Sequence, residues 1–349
     1  MSENSEPTAA AAPTPYKDRK IGLVAFGIFE IILGGICVLL VPLMAIGMLI
    51  GRANPATRDS LSLQAMLPNI LMYVLFAVLF IWLGIGSIQA RRWARALMLV
   101  GAWIWLVSGL VGIVFWLLLM PDFYALMARN GQLPAGVITV IKIVTTLVIT
   151  VIYVLLPLAF ILFYGSRHVK ATCEARDPQR RWTDKCPLPV LGLCLLYGSW
   201  AIGVLWLGAN NCVVPAFGKL VSGYAGFMIL ALATVAIGYI VPGLYRLRPA
   251  AWWVAVLFTL VAGASSVLTF AQINLVDYYR AMGFAEAQLA AIRQYSTAVT
   301  PLGMTAMTVS WVLAMLVYLI LVRGCFLPSG SSGGRGMPGA PQRVSPTAC

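Results

Sequence analysis

Residues 86–109, GSIQARRWARALMLVGAWIWLVSG, and residues 243–266, GLYRLRPAAWWVAVLFTLVAGASS, follow one plan at a spacing of 157. In the first, an apolar run closes at Gly86, the chain turns through Arg91, Arg92 and Arg95, and a new apolar run holds Ser108 and Gly109. In the second, the run closes at Gly243, turns through Arg246 and Arg248, and leads to Ser265 and Ser266. Two apolar runs joined by a short basic turn read as a helical hairpin in a membrane, and its recurrence reads as an internal duplication.

The resemblance extends outward from these turns. Asp122-Phe123-Tyr124 and Asp277-Tyr278-Tyr279 correspond at a spacing of 155, and Gln132-Leu133 and Gln288-Leu289 at 156. Gly27 pairs with Gly198 and Pro42 with Pro215. An ordered series of polar matches is expensive to obtain by chance in apolar sequence. The sequence therefore predicts an all-α integral membrane protein of two parallel four-helix repeats.

Composition agrees. The chain is 61% hydrophobic and 10% charged, with a mean hydropathy of +0.90, values that a water-soluble domain could not carry without exposing apolar surface. Spans need roughly 20 apolar residues each. Eight runs meet that length, at about 21–50, 67–89, 96–119, 137–164, 188–207, 224–244, 251–272 and 302–322. They lack the alternation of barrel strands, so helices are required to satisfy the backbone in lipid. The organisation expected is a polar N-tail (1–20), a first repeat (21–164), a basic linker (165–187), a second repeat (188–322) and a Gly/Ser/Pro-rich C-tail (323–349) expected to be disordered. The first span is too long for a cleavable signal and reads as a retained anchor.

The net charge of +13 would suggest nucleic acid for a soluble protein. Its distribution argues otherwise. With the N-terminus inside, seventeen Lys/Arg fall in the inner segments and six in the outer ones, leaving only Lys142 within a span. That is the positive-inside bias, which sets orientation rather than partners. Both termini and the linker are thus expected in the cytoplasm, and the excess of Arg over Lys hints at a bacterial inner membrane. The lipid bilayer is the expected partner, together with a membrane protein or a small-molecule or lipid substrate, and no nucleic acid.

Two charges lie inside spans. Glu30 stands nine residues past Ile21, about 13 Å along the helix at 1.5 Å per residue, where an ionisable group is expensive unless paired, protonated or hydrated. Its counterpart through the Gly27 and Gly198 match is Ala201, so folding of both halves does not demand it. Glu30 is accordingly a candidate for ligand binding or proton coupling, against the plainer reading of a protonated carboxyl bonded between helices. Lys142 lies about five residues inside its span and can snorkel to the headgroups. Pairing with Glu30 is its functional alternative, opposed by their different depths.

The outer segments around Asp122 and Asp277 read as short amphipathic helices over the bundle. Their Asp residues are candidate caps, and Asn130-Gly131 and Gly283 are candidate stops. Asp122, Tyr124, Asp277 and Tyr279 are the outer candidates for a lid or docking surface, alongside Phe123 and Tyr278 as aromatic anchors. Pro42, Pro157, Pro215 and Pro242 read as kinks within spans, and Gly47/Gly51 and Ser199/Gly203 as close-packing pairs.

Catalytic chemistry is thinly represented. The seven cysteines contain no CxxC pair, and the single histidine, His168, sits among basic residues of the linker. No metal-ligand cluster, nucleophile elbow or phosphate loop is present. Neither cofactor nor metal is expected, and an enzyme is the least favoured class. A permease using the interface between the repeats predicts a polar cavity there, reached from one side. A non-catalytic subunit or scaffold predicts a dry interior and an apolar patch beyond the lipid belt.

Overall fold

The computed structural model describes residues 16–53, 63–129, 135–284, 286–296 and 300–326. Among them are eight helices long and apolar enough to cross a membrane. They lie in α1 (Lys20–Ala53), α2 (Leu63–Ile88), α3 (Arg92–Arg129), α4 (Ala135–Thr150) continued through a π-helical turn into α5 (Leu156–Gly165), α7 (Leu188–Ala209), α8 (Gly223–Tyr245), α9 (Pro249–Phe270) and α12 (Pro301–Leu321). Their outer faces present large apolar side chains such as Leu39, Val140, Leu232 and Leu321. Such a surface is stable where the solvent is hydrocarbon.

Within the first half α1 packs on α2, α2 on α3, and α3 on α4 and α5. Within the second, α7 packs on α8, α8 on α9, and α9 on α12. Contact between the halves runs from α3 to α7 and α12. The short helix α6 (Arg167–Arg176) and a 3-10 turn (Trp182–Asp184) dock on the start of α3. The amides of Lys17 and Arg19 donate to His168 Nδ1 and Thr172 Oγ1, and Phe326 shares a core with Cys186 and Val190. Thus the beginning of α1, the linker and the end of α12 gather at one end of the bundle, here the linker end.

The two basic turns have the same backbone geometry. The amides of Ala90 and Arg91 donate to the carbonyls of Ser87 and Gly86 at 2.9 Å each, and those of Leu247 and Arg248 donate to Leu244 and Gly243 at 2.9 and 3.0 Å. This is a Schellman closure in both places, with Ala90 (φ 53°) and Leu247 (φ 55°) in the left-handed position usually given to glycine. Gly86 abuts Ala94 as Gly243 abuts Ala251, where an added Cβ would lie within 2.6 and 2.5 Å of the alanine Cβ. Every one of these correspondences has the spacing of 157.

Close helix contact is not where the GxxxG spacing placed it. A Cβ added at Gly47 or Gly203 would meet nothing within 4 Å. At Gly27 it would lie 2.7 Å from the Gly84 carbonyl oxygen, and at Gly84 equally close to that of Gly27. Gly34 meets Ile81 and the Ala77 carbonyl in the same way, at 2.7 and 3.1 Å. The small residues that let α1 and α2 approach are therefore seven apart, the spacing of a left-handed seam rather than of GxxxG.

Pro157 explains the π-helical turn. It cannot donate to the Tyr153 carbonyl, and the ladder shifts so that the Leu156 amide bonds Val151 instead. Gly109 of α3 packs against Tyr153, whose carbonyl oxygen would lie 2.6 Å from an added Cβ. Pro215 lies not in a span but in β1 (Val214–Ala216), which pairs with β2 (Lys219–Val221) in a hairpin at the far end of the second half. The tip is fixed to α9, since the amides of Phe217 and Gly218 donate to Ser265 Oγ and Thr269 Oγ1.

Candidate functional site

Glu30 is fully enclosed, with 0% of its surface exposed. Its neighbours come from two other helices. The Tyr164 hydroxyl oxygen lies 2.6 Å from Oε1 and 2.9 Å from Ser87 Oγ, and Ser87 Oγ donates to Oε2 at 3.1 Å. Three oxygen contacts need three protons, of which the two hydroxyls supply two. A carboxyl proton completes the ring, so the arrangement fits the neutral acid held between helices. Ser87 is in the last turn of α2 and Tyr164 is the penultimate residue of α5. Both hydroxyls thus reach Glu30 from the linker ends of their helices.

Lys142 is exposed on α4 and has no ion-pair partner among the described residues. Twenty-two residues separate it from Tyr164, about 33 Å along the helix at 1.5 Å per residue. The structure does not bring Lys142 and Glu30 together.

The outer candidates divide. Asp122 and Tyr124 continue α3 as far as Arg129 rather than forming a separate helix, and Tyr124 is buried. The proposed stop at Asn130-Gly131 lies outside the described residues. Asp277 and Tyr279 do belong to a short helix, α10 (Leu275–Ala281), followed by α11 (Glu286–Ser296). Asn274 rather than Asp277 occupies its N-cap, and Asp277 accepts from Arg280 Nη1 at 3.0 Å. Gly283 (φ 88°) ends the helix, with its amide on the Arg280 carbonyl. Tyr278 packs edge-on against Phe270 and Tyr279 against Phe284, and burial pushes the Tyr278 phenol up to about 12.

A second polar region, not singled out by the sequence, lies at the linker end between the halves. A cavity of about 180 Å³ is bounded by Arg92 and Arg95 of α3, Lys170, Cys173 and Glu174 of α6, and Thr183, Asp184 and Cys186 ahead of α7. Arg92 bridges two acids, with Nε 3.2 Å from Asp184 and Nη2 3.4 Å from Glu174. Arg95 Nε and Thr183 Oγ1 are buried without a hydrogen-bond partner. Burial pushes the thiols of Cys173 and Cys186 up to about 11, leaving both neutral near pH 7.

Beside the cavity, Asp177 ties the linker to α3. It is 2% exposed, accepts the Arg92 amide at 3.3 Å, and is gripped by Arg181 through Nη2 at 2.7 Å and Nε at 3.0 Å. The Arg181 hydrogen bonds hold its carboxyl below the usual carboxylate range, with the Arg92 amide and the charge of Arg91 adding to the effect. The sequence signal was available in the run of basic residues, but a charge run does not say which member folds inward.

Comparison with protein-family models, with curated proteins and with solved structures finds no match to this chain.

Proposed function

We propose that this chain is a small-molecule or lipid permease built from two parallel four-helix repeats, with its working site at the interface between them. The supporting observation is the cavity of about 180 Å³ where α3, the linker and the start of α7 meet. It combines polar groups with a position on the junction, as alternating access by relative movement of two repeats requires. The matching backbone closure of the two basic turns and the similar order of helix contacts in the two halves support the duplication. In the bacterial inner membrane, the linker end with its excess of Lys and Arg faces the cytoplasm.

The alternative is a non-catalytic subunit or scaffold. The closed Glu30, Ser87 and Tyr164 cluster favours it, because a carboxyl enclosed and bonded by protein groups is placed to join helices rather than to meet cargo. In this reading Asp122, Tyr124, Asp277 and Tyr279 belong to the docking end.

Purification without exogenous lipid, mass spectrometry of what is retained, and flux of the retained compound or of a fluorescent phospholipid in proteoliposomes separate the two. Protein-dependent flux is expected. A stoichiometric protein partner with no flux would establish the subunit reading instead. Orientation is tested independently in intact cells on a cysteine-free background: Arg280→Cys should label with a membrane-impermeant maleimide and Ala175→Cys should not.

A further inference from the structure

We propose that the cavity at the linker end is a phosphate-binding site, with Arg95, Lys170 and Thr183 as its contact groups. The inference rests on the junction being the working site and names the chemistry that it takes. Arg92 is already committed to Glu174 and Asp184, whereas Arg95 has no carboxylate within ion-pair distance among the described residues. Its Nε and the hydroxyl of Thr183, a residue 2% exposed, are both buried and unpaired. Two donors lining one cavity, from α3 and from the 3-10 turn, both without acceptors, are the kind that a single oxyanion satisfies. Lys170, at 4.0 Å from Glu174, makes only a marginal pair and adds positive charge to the same cavity.

The electrostatics select the anion. Three cations and two carboxylates line the space, and both carboxylates are engaged by Arg92. Cys173 and Cys186 add no negative charge as neutral thiols. A cation would find no free carboxylate, while an oxyanion finds a free guanidinium fork. The site opens beside the first residues of α3 and α7, where headgroup phosphates lie in a membrane. A lipid phosphate and free phosphate offer the same recognition chemistry here.

The test uses the full chain in uncharged detergent, titrated with inorganic phosphate by calorimetry, and in phosphatidylcholine nanodiscs with and without phosphatidic acid, read by native mass spectrometry. One saturable site per chain is expected. Arg95→Gln should weaken it by about ten-fold or more and Thr183→Val by a few-fold, in keeping with loss of charged and neutral hydrogen bonds. Arg246→Gln, which removes a charge from the same end outside the cavity, should change it little. Saturation by inorganic phosphate identifies free phosphate as an accepted ligand, and retention of phosphatidic acid alone identifies a lipid headgroup. Absence of saturable binding in both arms, or binding unaltered in Thr183→Val, overturns the proposal even if Arg95→Gln fails to fold. Phosphate binding without any flux would remove the permease reading and leave the site; flux without binding would do the reverse.

Discussion

The turn from α2 to α3 and the turn from α8 to α9 have one backbone and two chemistries. Both close with the same pair of hydrogen bonds around a left-handed residue. At the matched positions, however, Ser87 answers to Leu244, Arg92 to Pro249 and Arg95 to Trp252. Leu244 and Trp252 are buried in the second half's apolar core, where the Trp252 indole N–H donates to the Leu319 carbonyl. Ser87 instead reaches a buried carboxyl, and Arg92 and Arg95 receive the linker. The hairpin turn is set by backbone closure, which tolerates either set of side chains. Polar side chains that bond across helices gather at the first turn, and apolar packing at the second.

The same contrast can be broken most severely at the paired glycines. Gly27→Val drives a side chain into the Gly84 carbonyl, whereas Gly198→Val enters open space. Overpacking against backbone should cost about 3 kcal/mol or more at Gly27, with under about 0.5 kcal/mol expected at Gly198. Thermal unfolding of each purified variant in detergent measures the gap, and equal effects would dissolve the contrast between the two crossings.

A smaller effect is expected at the buried tyrosines. Tyr164→Phe leaves the Glu30 carboxyl with one hydroxyl partner and should destabilise by about 1–3 kcal/mol. Tyr197→Phe, on α7, should cost nearer 1 kcal/mol, since Thr259 keeps its own bond to the Ala255 carbonyl at 2.9 Å. Glu30→Gln preserves the ring, with the amide donating in place of the carboxyl proton, and should melt within about 0.5 kcal/mol of the parent. A large loss of stability in Glu30→Gln would show that a charged carboxylate is needed there. Loss of flux with stability intact would restore Glu30 as a proton-coupling group.

The linker provides the pH-dependent difference between the ends. Asp177 titrates below its unfolded value, so its contribution is present above about pH 3.9. It is lost as the pH falls through the lower, folded value. Melting temperature should therefore decline more steeply in that acid range than in an Asp177→Asn variant, and parallel curves would show that the carboxylate does not hold the linker.

Lys142→Met should have the smallest effect, under about 0.5 kcal/mol, since the side chain lies on an exposed face with no ion-pair partner among the described residues. A large loss measured by the same unfolding assay would require a partner for its ammonium group.

The eight apolar runs were legible as helices because hydrocarbon enforces internal backbone bonding, a constraint local to each segment. Gly86, Arg91, Gly243 and Arg248 likewise marked the two turns, since a Schellman closure involves only six consecutive residues. Side-chain partnership is not local. Ser87 and Tyr164 meet Glu30 from 57 and 134 residues away, and nothing in either sequence neighbourhood announces the other. The GxxxG spacing pointed to Gly47 while packing used Gly27 and Gly34, because a helix surface has several small-residue stripes and the neighbouring helix selects one. Sequence alone thus determined which segments enter the membrane and how the hairpins turn, both matters of backbone hydrogen bonding and solvent. The tertiary structure decided which polar groups are satisfied, which leave donors open beside α3, and where the two halves enclose a cavity, because those depend on the distances between chains of atoms far apart in sequence.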